Sequence, residues 1–182
     1  APAGLATCVA CHGARGEGSA AAGAPRLAGQ NAQYLEHALA MFKAGTRTNA
    51  LMQPVAAGLD DAQIHALAGY FAALRGVPLA AAAPPPADLV KAGEELARVG
   101  AASDPTPPCF SCHGVGGRAD NPRFPAIEGQ PATFMVNRLH EFQARARAKP
   151  PEPATMTAVA ARLSEEQIGQ VAAFFSTLKP GQ

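Results

Sequence analysis

The segment Cys8-Val9-Ala10-Cys11-His12-Gly13 returns as Cys109-Phe110-Ser111-Cys112-His113-Gly114, and these two hexapeptides hold all 4 cysteines of the 182-residue chain. The correspondence extends outward. Pro25-Arg26-Leu27-Ala28-Gly29-Gln30 matches Pro125-Ala126-Ile127-Glu128-Gly129-Gln130, and Tyr34, Leu39 and Phe42 match Phe134, Leu139 and Phe142 at the same offset. Met52, Val55, Ala56, Ala57 and Leu59 then match Met156, Val159, Ala160, Ala161 and Leu163 at an offset four residues larger. The extra residues are expected in Ala146 to Ala154, a loop rich in proline. Gln63-Ile64, Ala68 and Tyr70-Phe71 complete the copy as Gln167-Ile168, Ala172 and Phe174-Phe175. One domain repeated in tandem is the economical account. Between the copies, Ala80 to Ala83 lead into Pro84-Pro85-Pro86, and prolines in series favour an extended, semi-rigid connection. The expected division is a first domain at 1–79, a linker at 80–87 and a second domain at 88–182.

The pattern within each copy is helical. Asn31 to Ala44 places Tyr34, Leu35, Ala38, Leu39, Met41 and Phe42 at helical spacing. Asp60-Asp61-Ala62-Gln63 and Ser164-Glu165-Glu166-Gln167 read as capping boxes opening helices over roughly 60–75 and 164–178. Asp88 to Val99 predicts another helix leading into the second copy. No stretch alternates with a period of two, so the fold class is all-α.

Composition narrows the function. The apolar fraction of 48% is largely alanine, with no Trp and only 8 Phe, so the chain itself supplies little bulk for a core. Small domains of this kind need an added apolar group. With 15 basic and 14 acidic residues, neither copy carries the Lys/Arg stripe of a nucleic-acid binder. The cluster Arg138, Arg145, Arg147 and Lys149 reads as a solvated helix face. No apolar run is long enough to cross a membrane. The opening Ala-Pro-Ala-Gly reads as a mature end left by signal-peptide removal, and together with the cysteine motifs it makes a periplasmic location the expectation.

The two Cys-x-x-Cys-His segments carry the chemistry. Their spacing puts both thiols on one side of a helical turn, where they form thioethers with the vinyl groups of one haem, and the adjacent His ligates the iron. A thioredoxin-like pair would want a βαβ context, and a zinc site would need four ligands where each copy offers two thiols and an immediately adjacent His. Two haem c groups are therefore expected, on Cys8, Cys11 and His12 and on Cys109, Cys112 and His113. Their propionates make the loaded protein net acidic.

The repeat selects the sixth iron ligand. Met52 and Met156 are equivalent, whereas Met41 faces Glu141 in the alignment and Met135 faces Leu35. His37, His65 and His140 have Asn137, Gly169 and Ala40 as counterparts, so no second His pair exists. Thioethers from Met52 and Met156 give His/Met iron, which raises the reduction potential. A carbonyl near Pro25 or Pro125 has the right interval to accept the proximal His N–H, with an ordinary turn as the alternative. Arg47 either pairs with a propionate or is simply exposed.

Taken together, Cys-x-x-Cys-His-Gly, Pro-x-Leu-Ala-Gly-Gln, Phe-Lys-x-Gly-x-Arg, the methionine and the Gln-Ile-x-x-Leu-Ala-x-Tyr-Phe helix resemble the tandem dihaem class I cytochromes c called cytochromes c4. The resemblance covers nearly the whole chain. It implies two all-α domains related by a pseudo-twofold axis, propionates facing each other across the interface and fast electron exchange between the haems. It also implies a periplasmic carrier serving a membrane respiratory complex such as a terminal oxidase, with peripheral membrane association compatible with that role. Dihaem subunits of sulfide and thiosulfate dehydrogenases are similar, which makes a dehydrogenase the alternative partner. Three departures stand out: the short stretch before Cys8, an insertion-like Ala101 to Pro108, and the long Pro-rich loop before Met156.

Three classes of function compete. A carrier, or an electron-accepting subunit of a dehydrogenase complex, needs closed six-coordinate irons and no small-molecule substrate. A dihaem peroxidase or ligand sensor needs an open or displaceable position, against which the paired methionines argue. The expectation is single-electron transfer between redox proteins, with no catalytic residues in this chain.

Overall fold

Short polar segments and glycines divide the chain into helices, and a computed structural model describes residues 1–101, 106–118 and 120–180. Within the first copy, helix α1 spans Leu5–His12, α2 Ala32–Lys43, α3 Met52–Ala57 and α4 Asp61–Ala73. A fifth helix, α5 (Ala87–Val99), precedes the second set: α6 (Phe110–His113), α7 (Ala132–Ala148), α8 (Met156–Ala160) and α9 (Glu165–Thr177). Among the described residues the only β-type pairings are the isolated bridges Ser19–Ala24 and Ala101–Thr106. Residues 102–105 of the insertion-like segment lie outside the described residues.

Local chemistry starts these helices where the sequence puts them. The Asp60 carboxylate accepts from Gln63 N at 2.8 Å while the Gln63 side-chain oxygen accepts from Asp60 N at 2.9 Å. Ser164 and Gln167 make the same reciprocal pair at 3.1 and 2.9 Å. Both satisfy backbone donors that the first turn of a helix leaves without partners.

The four extra residues of the second copy do not all fall in a loop. Helix α7 continues through Ala148, about a turn beyond the end of its counterpart α2. In the first copy Gly45 takes a left-handed φ of 72° just past the helix, and its N–H closes onto Phe42 O. In the second copy that stretch reads Ala144-Arg145-Ala146-Arg147-Ala148, all strong helix formers, and the helix stops only before Pro150-Pro151. The basic cluster is corrected as well. The Arg138 side chain is only 14% exposed, pairs with Glu141 and lies over the Phe142 ring, its guanidinium carbon 4.2 Å from the centroid. Arg147 and Lys149 remain exposed.

Each copy has its own core. In the first, Leu35, Ala68 and Phe71 are buried with Leu5, Val9 and Leu27 packed around them. The second is larger, because α5 lies along α9 and adds Leu96 and Ala97 to a cluster with Ile168, Val171 and Phe175. The copies meet through matching loops. Gln30 of the first copy reaches the backbone of Ala126, and Gln130 of the second reaches the backbone of Arg26. Arg118 pairs with the buried Glu128 at 2.6 Å and donates across the interface to Gly29 O at 2.9 Å. Arg26, itself buried, holds the chain leaving the first copy by donating to Val77 O and Pro78 O. Residues 78–86 contain no helix.

The α5–α9 contact is tight at Gly93, where an added Cβ would stand 2.0 Å from Gln170 O. Alanine is the better helix former by about 1 kcal/mol, so propensity and packing pull in opposite directions. Packing wins here, since backbone cannot yield as a side chain can. Gly93→Ala is expected to destabilise the protein by about 2 kcal/mol, read as a lower denaturation midpoint at unchanged slope. A raised midpoint would show that the two helices separate easily.

Candidate functional site

Two helical turns carry the chemistry-bearing residues. Helix α1 holds Cys8, Cys11 and His12, while Cys109 sits at the N-terminal cap of α6, which holds Cys112 and His113. All four thiols are unpaired; Cys8 and Cys109 are half-buried, and Cys11 and Cys112 are exposed. Burial pushes the Cys109 thiol up to about 11 and raises that of Cys8. No neighbouring cation draws these two toward thiolate, as it would in a reactive redox site. Among the described residues no group of three or more His, Cys, Asp or Glu could hold a metal ion, which leaves no zinc cluster.

The two histidines turn inward. His12 and His113 are each 6% exposed. Each Nδ1 lies at hydrogen-bond distance from a proline carbonyl: Pro25 O at 2.8 Å for His12 and Pro125 O at 2.9 Å for His113. A carbonyl can only accept, so the proton is on Nδ1 and the Nε2 lone pair is left for a metal. Burial lowers both imidazole pKa values, against the opposing pull of the carbonyl bond, which favours the neutral form a metal needs.

The proline carbonyls are held by a repeated set of backbone bonds. Leu27 N donates to Gly16 O and Ile127 N to Gly117 O, each at 2.8 Å. Gly29 N donates to Phe71 O at 2.8 Å and Gly129 N to Phe175 O at 2.9 Å. Each loop is thereby tied both to the chain just after its histidine and to the end of its copy's last helix. The orientation of the imidazole follows from that double tie.

The candidate methionines occupy equivalent places. Met52 opens α3 and Met156 opens α8, and both are partly buried. Asn49 accepts from Met52 N at 2.9 Å, and the Thr155 side chain accepts from Ala158 N at 3.3 Å to cap α8. Met135 lies in the second core. Of the remaining histidines, His37 is exposed, His65 pairs with Glu36 and His140 with Glu165, each at the surface.

Arg47 is not the exposed residue that was one expectation. It is 7% exposed, with its guanidinium carbon 4.5 Å from the Phe42 ring centroid. Burial lowers its pKa, as does the charge of Arg138 from the other copy, while Tyr34 and Glu141 oppose them. The guanidinium hydrogen-bonds to the Tyr34 side chain, but among the described residues its Nε has no partner. A buried cationic donor left open is costly unless an anion completes it. The residues present thus fit a haem in chemistry: paired thiols, a neutral imidazole with a free Nε2, and, in the first copy, a buried arginine wanting an anionic partner.

Sequence reasoning missed the interface. Gln30 and Gln130 were visible as part of the echo, but nothing in the repeat showed that each faces the other copy. Likewise Glu128, 4% exposed beside Arg118, has alanine as its counterpart, so the repeat gave it no signal.

Comparison with known proteins agrees with this geometry. The family model described as cytochrome c matches twice, over residues 3–75 and 100–179. A thiosulfate dehydrogenase electron acceptor from Thiomonas intermedia is 40% identical over 94% of this chain and 78% of its own. The structure of cytochrome c4 from Acidithiobacillus ferrooxidans superposes with a TM-score of 0.82 at 31% identity, covering 95% of this chain and 99% of that one. The thiosulfate dehydrogenase TsdBA from Marichromatium purpuratum superposes with a TM-score of 0.81 at 36% identity over 93% of this chain, which spans 36% of that longer chain. A repeated Cys-x-x-Cys-His helix, inward neutral imidazoles and a double family match lead to one conclusion: the chain belongs to the cytochrome c family, as a tandem electron-transfer protein of the cytochrome c4 kind with two haem c groups.

Proposed function

We propose that this chain is a periplasmic one-electron carrier in which His12 and Met52 ligate the first iron, and His113 and Met156 the second. Cys8 and Cys11 hold one haem as thioethers and Cys109 and Cys112 the other. The observation that carries this reading is the equivalence of Met52 and Met156 as first residues of matching short helices, in copies whose histidines are already neutral and oriented. The haem iron, when bound, supplies reversible single-electron exchange. The chain's own residues do the rest. The carbonyls of Pro25 and Pro125 fix each imidazole and raise its basicity by accepting a hydrogen bond from Nδ1–H. The apolar cores about each site exclude water, and Arg47 offers its open Nε to a propionate. The divisions at 1–79, 80–87 and 88–182 are part of the same proposal, with α5 assigned to the second domain because it packs on α9.

Its partners on this reading are redox proteins: a membrane respiratory complex, a terminal oxidase or a dehydrogenase. Among the described residues no helix is long and apolar enough to cross a membrane, so any membrane contact of these residues through helices is peripheral. A second reading has a specific support. The Thiomonas relative is named as an electron acceptor of thiosulfate dehydrogenase, and the same architecture lies within the longer TsdBA chain. On that reading the chain accepts electrons from a catalytic partner that oxidises a sulfur compound. Rapid reduction of the purified chain by a thiosulfate-oxidising enzyme would favour it, and reduction only by a quinol-oxidising complex would favour the free carrier.

The ligand assignment is tested by optical spectra with a haem count. Two haems per chain, a ferric methionine–iron band and no response to carbon monoxide are the expected results. Met52→Ala and Met156→Ala should each open one iron to carbon monoxide and abolish half of the methionine band. Carbon monoxide binding to the unaltered chain would overturn the assignment.

Arg47→Leu tests the propionate role. Loss of a nearby positive charge disfavours the reduced state, so the first haem's potential should fall by on the order of tens of millivolts, while the second changes less. Equal potentials before and after the change would remove Arg47 from the site.

A further inference from the structure

The interface holds a reciprocal arrangement that the electron-transfer reading does not use. The Gln130 side chain, 5% exposed, accepts from Arg26 N at 3.0 Å and donates to Arg26 O at 3.0 Å. The Gln30 side chain, also 5% exposed, accepts from Ala126 N and donates to Ala126 O, both at 2.9 Å. These four bonds repeat one motif in both directions across the interface. The residues clasped are the ones immediately after Pro25 and Pro125.

That placement matters because the N–H of Arg26 and the carbonyl of Pro25 belong to one planar peptide group. Its oxygen accepts from His12 Nδ1 at 2.8 Å, and its nitrogen donates to Gln130 at 3.0 Å. The Pro125–Ala126 peptide likewise accepts from His113 and donates to Gln30. Hydrogen bonds on the two ends of one peptide polarise each other: an acceptor on the N–H makes the carbonyl a stronger acceptor. A stronger carbonyl makes the imidazole a more basic ligand. The clasp also fixes the peptide plane, and with it the direction of the carbonyl.

We propose that each domain holds and tunes the proximal histidine of the other: Gln130 acts on His12 through the Pro25–Arg26 peptide, and Gln30 acts on His113 through the Pro125–Ala126 peptide. Both glutamines are positioning residues. The proposal rests on His12 and His113 being the proximal ligands. It gives the interface a task beyond bringing two haems together, because separating the domains would weaken both iron ligands at once.

The test uses the full chain with both haems, and reads the two midpoint potentials separately together with the axial-histidine proton signals in NMR. Gln130→Leu keeps the bulk and removes both hydrogen bonds. It should weaken the His12 bond and make that imidazole a poorer donor, favouring the reduced state of the first haem. The expected change is roughly two- to fivefold in that haem's reduction equilibrium, the scale of one modest hydrogen bond. The second haem should move less. Gln30→Leu should give the mirror result, moving the second haem and the His113 signals. Gln130→Met and Gln30→Met, nearer in length, serve if leucine prevents assembly.

A shift confined to the mutated domain's own haem, equal shifts at both, or none would overturn the proposal. So would failure of both replacements at a position to take up haem, which would assign the glutamines to folding alone. An unaltered chain without two His-ligated haems would instead overturn the reading on which the proposal rests.

Discussion

Each buried imidazole donates a hydrogen bond from Nδ1–H to a proline carbonyl, and most of the remaining architecture serves to keep that carbonyl in place. The loop presenting it is tied to Gly16 or Gly117 on one side and to the end of α4 or α9 on the other. Those helices in turn supply the aromatic centre of each core, Phe71 in one copy and Phe174 with Phe175 in the other. A short polar contact thus depends on the packing of an entire domain. The dependence is physical rather than incidental, since burial favours the neutral imidazole and only a packed core holds the carbonyl that orients it.

The same loop also makes the interface. Residues 26 and 126 are clasped by glutamines, Gly29 O takes a hydrogen bond from Arg118, and Glu128 is buried against Arg118 with Arg26 close by. Ligand orientation and domain association therefore share one set of atoms. Such an arrangement leaves little freedom for the domains to shift without disturbing the two buried imidazoles. It also explains why buried charges are tolerated there: Glu128 and the two arginines compensate one another in a setting where an isolated charge would be costly.

The copies are not identical, and their differences follow from few residues. Gly45 stops α2 where Arg145 lets α7 run on. The added helix α5 enlarges the second core, admitted by the missing side chain at Gly93. Arg26 in the first copy secures the departing chain, a task for which Ala126 has no side chain. Asymmetry of this kind gives two similar sites different surroundings, and burial and hydrogen bonding tune a haem's potential at a given axial ligation.

Much of this was legible in the sequence because it is local. A Cys-x-x-Cys-His turn, a capping box or a helical run is decided by residues within a few positions of one another, and the repeat shows them twice. Reading Ala146 to Ala154 as loop failed where proline was weighed above the alanines and arginines preceding it. Arg138 read as solvated because charge pattern alone does not show that Phe142 and Glu141 stand one turn away on the same face. The burial of Arg47, the choice of the Pro25 and Pro125 carbonyls as acceptors of the imidazoles' N–H and the crossing of Gln30 and Gln130 were decided by tertiary structure. Each joins atoms from separate helices, loops or domains, and their meeting depends on how whole elements pack. The sequence by itself determined the haem c chemistry, the helical class and the duplication; the fold decided which carbonyl each buried imidazole meets and which side chains cross between the copies, because those contacts join residues far apart in the chain.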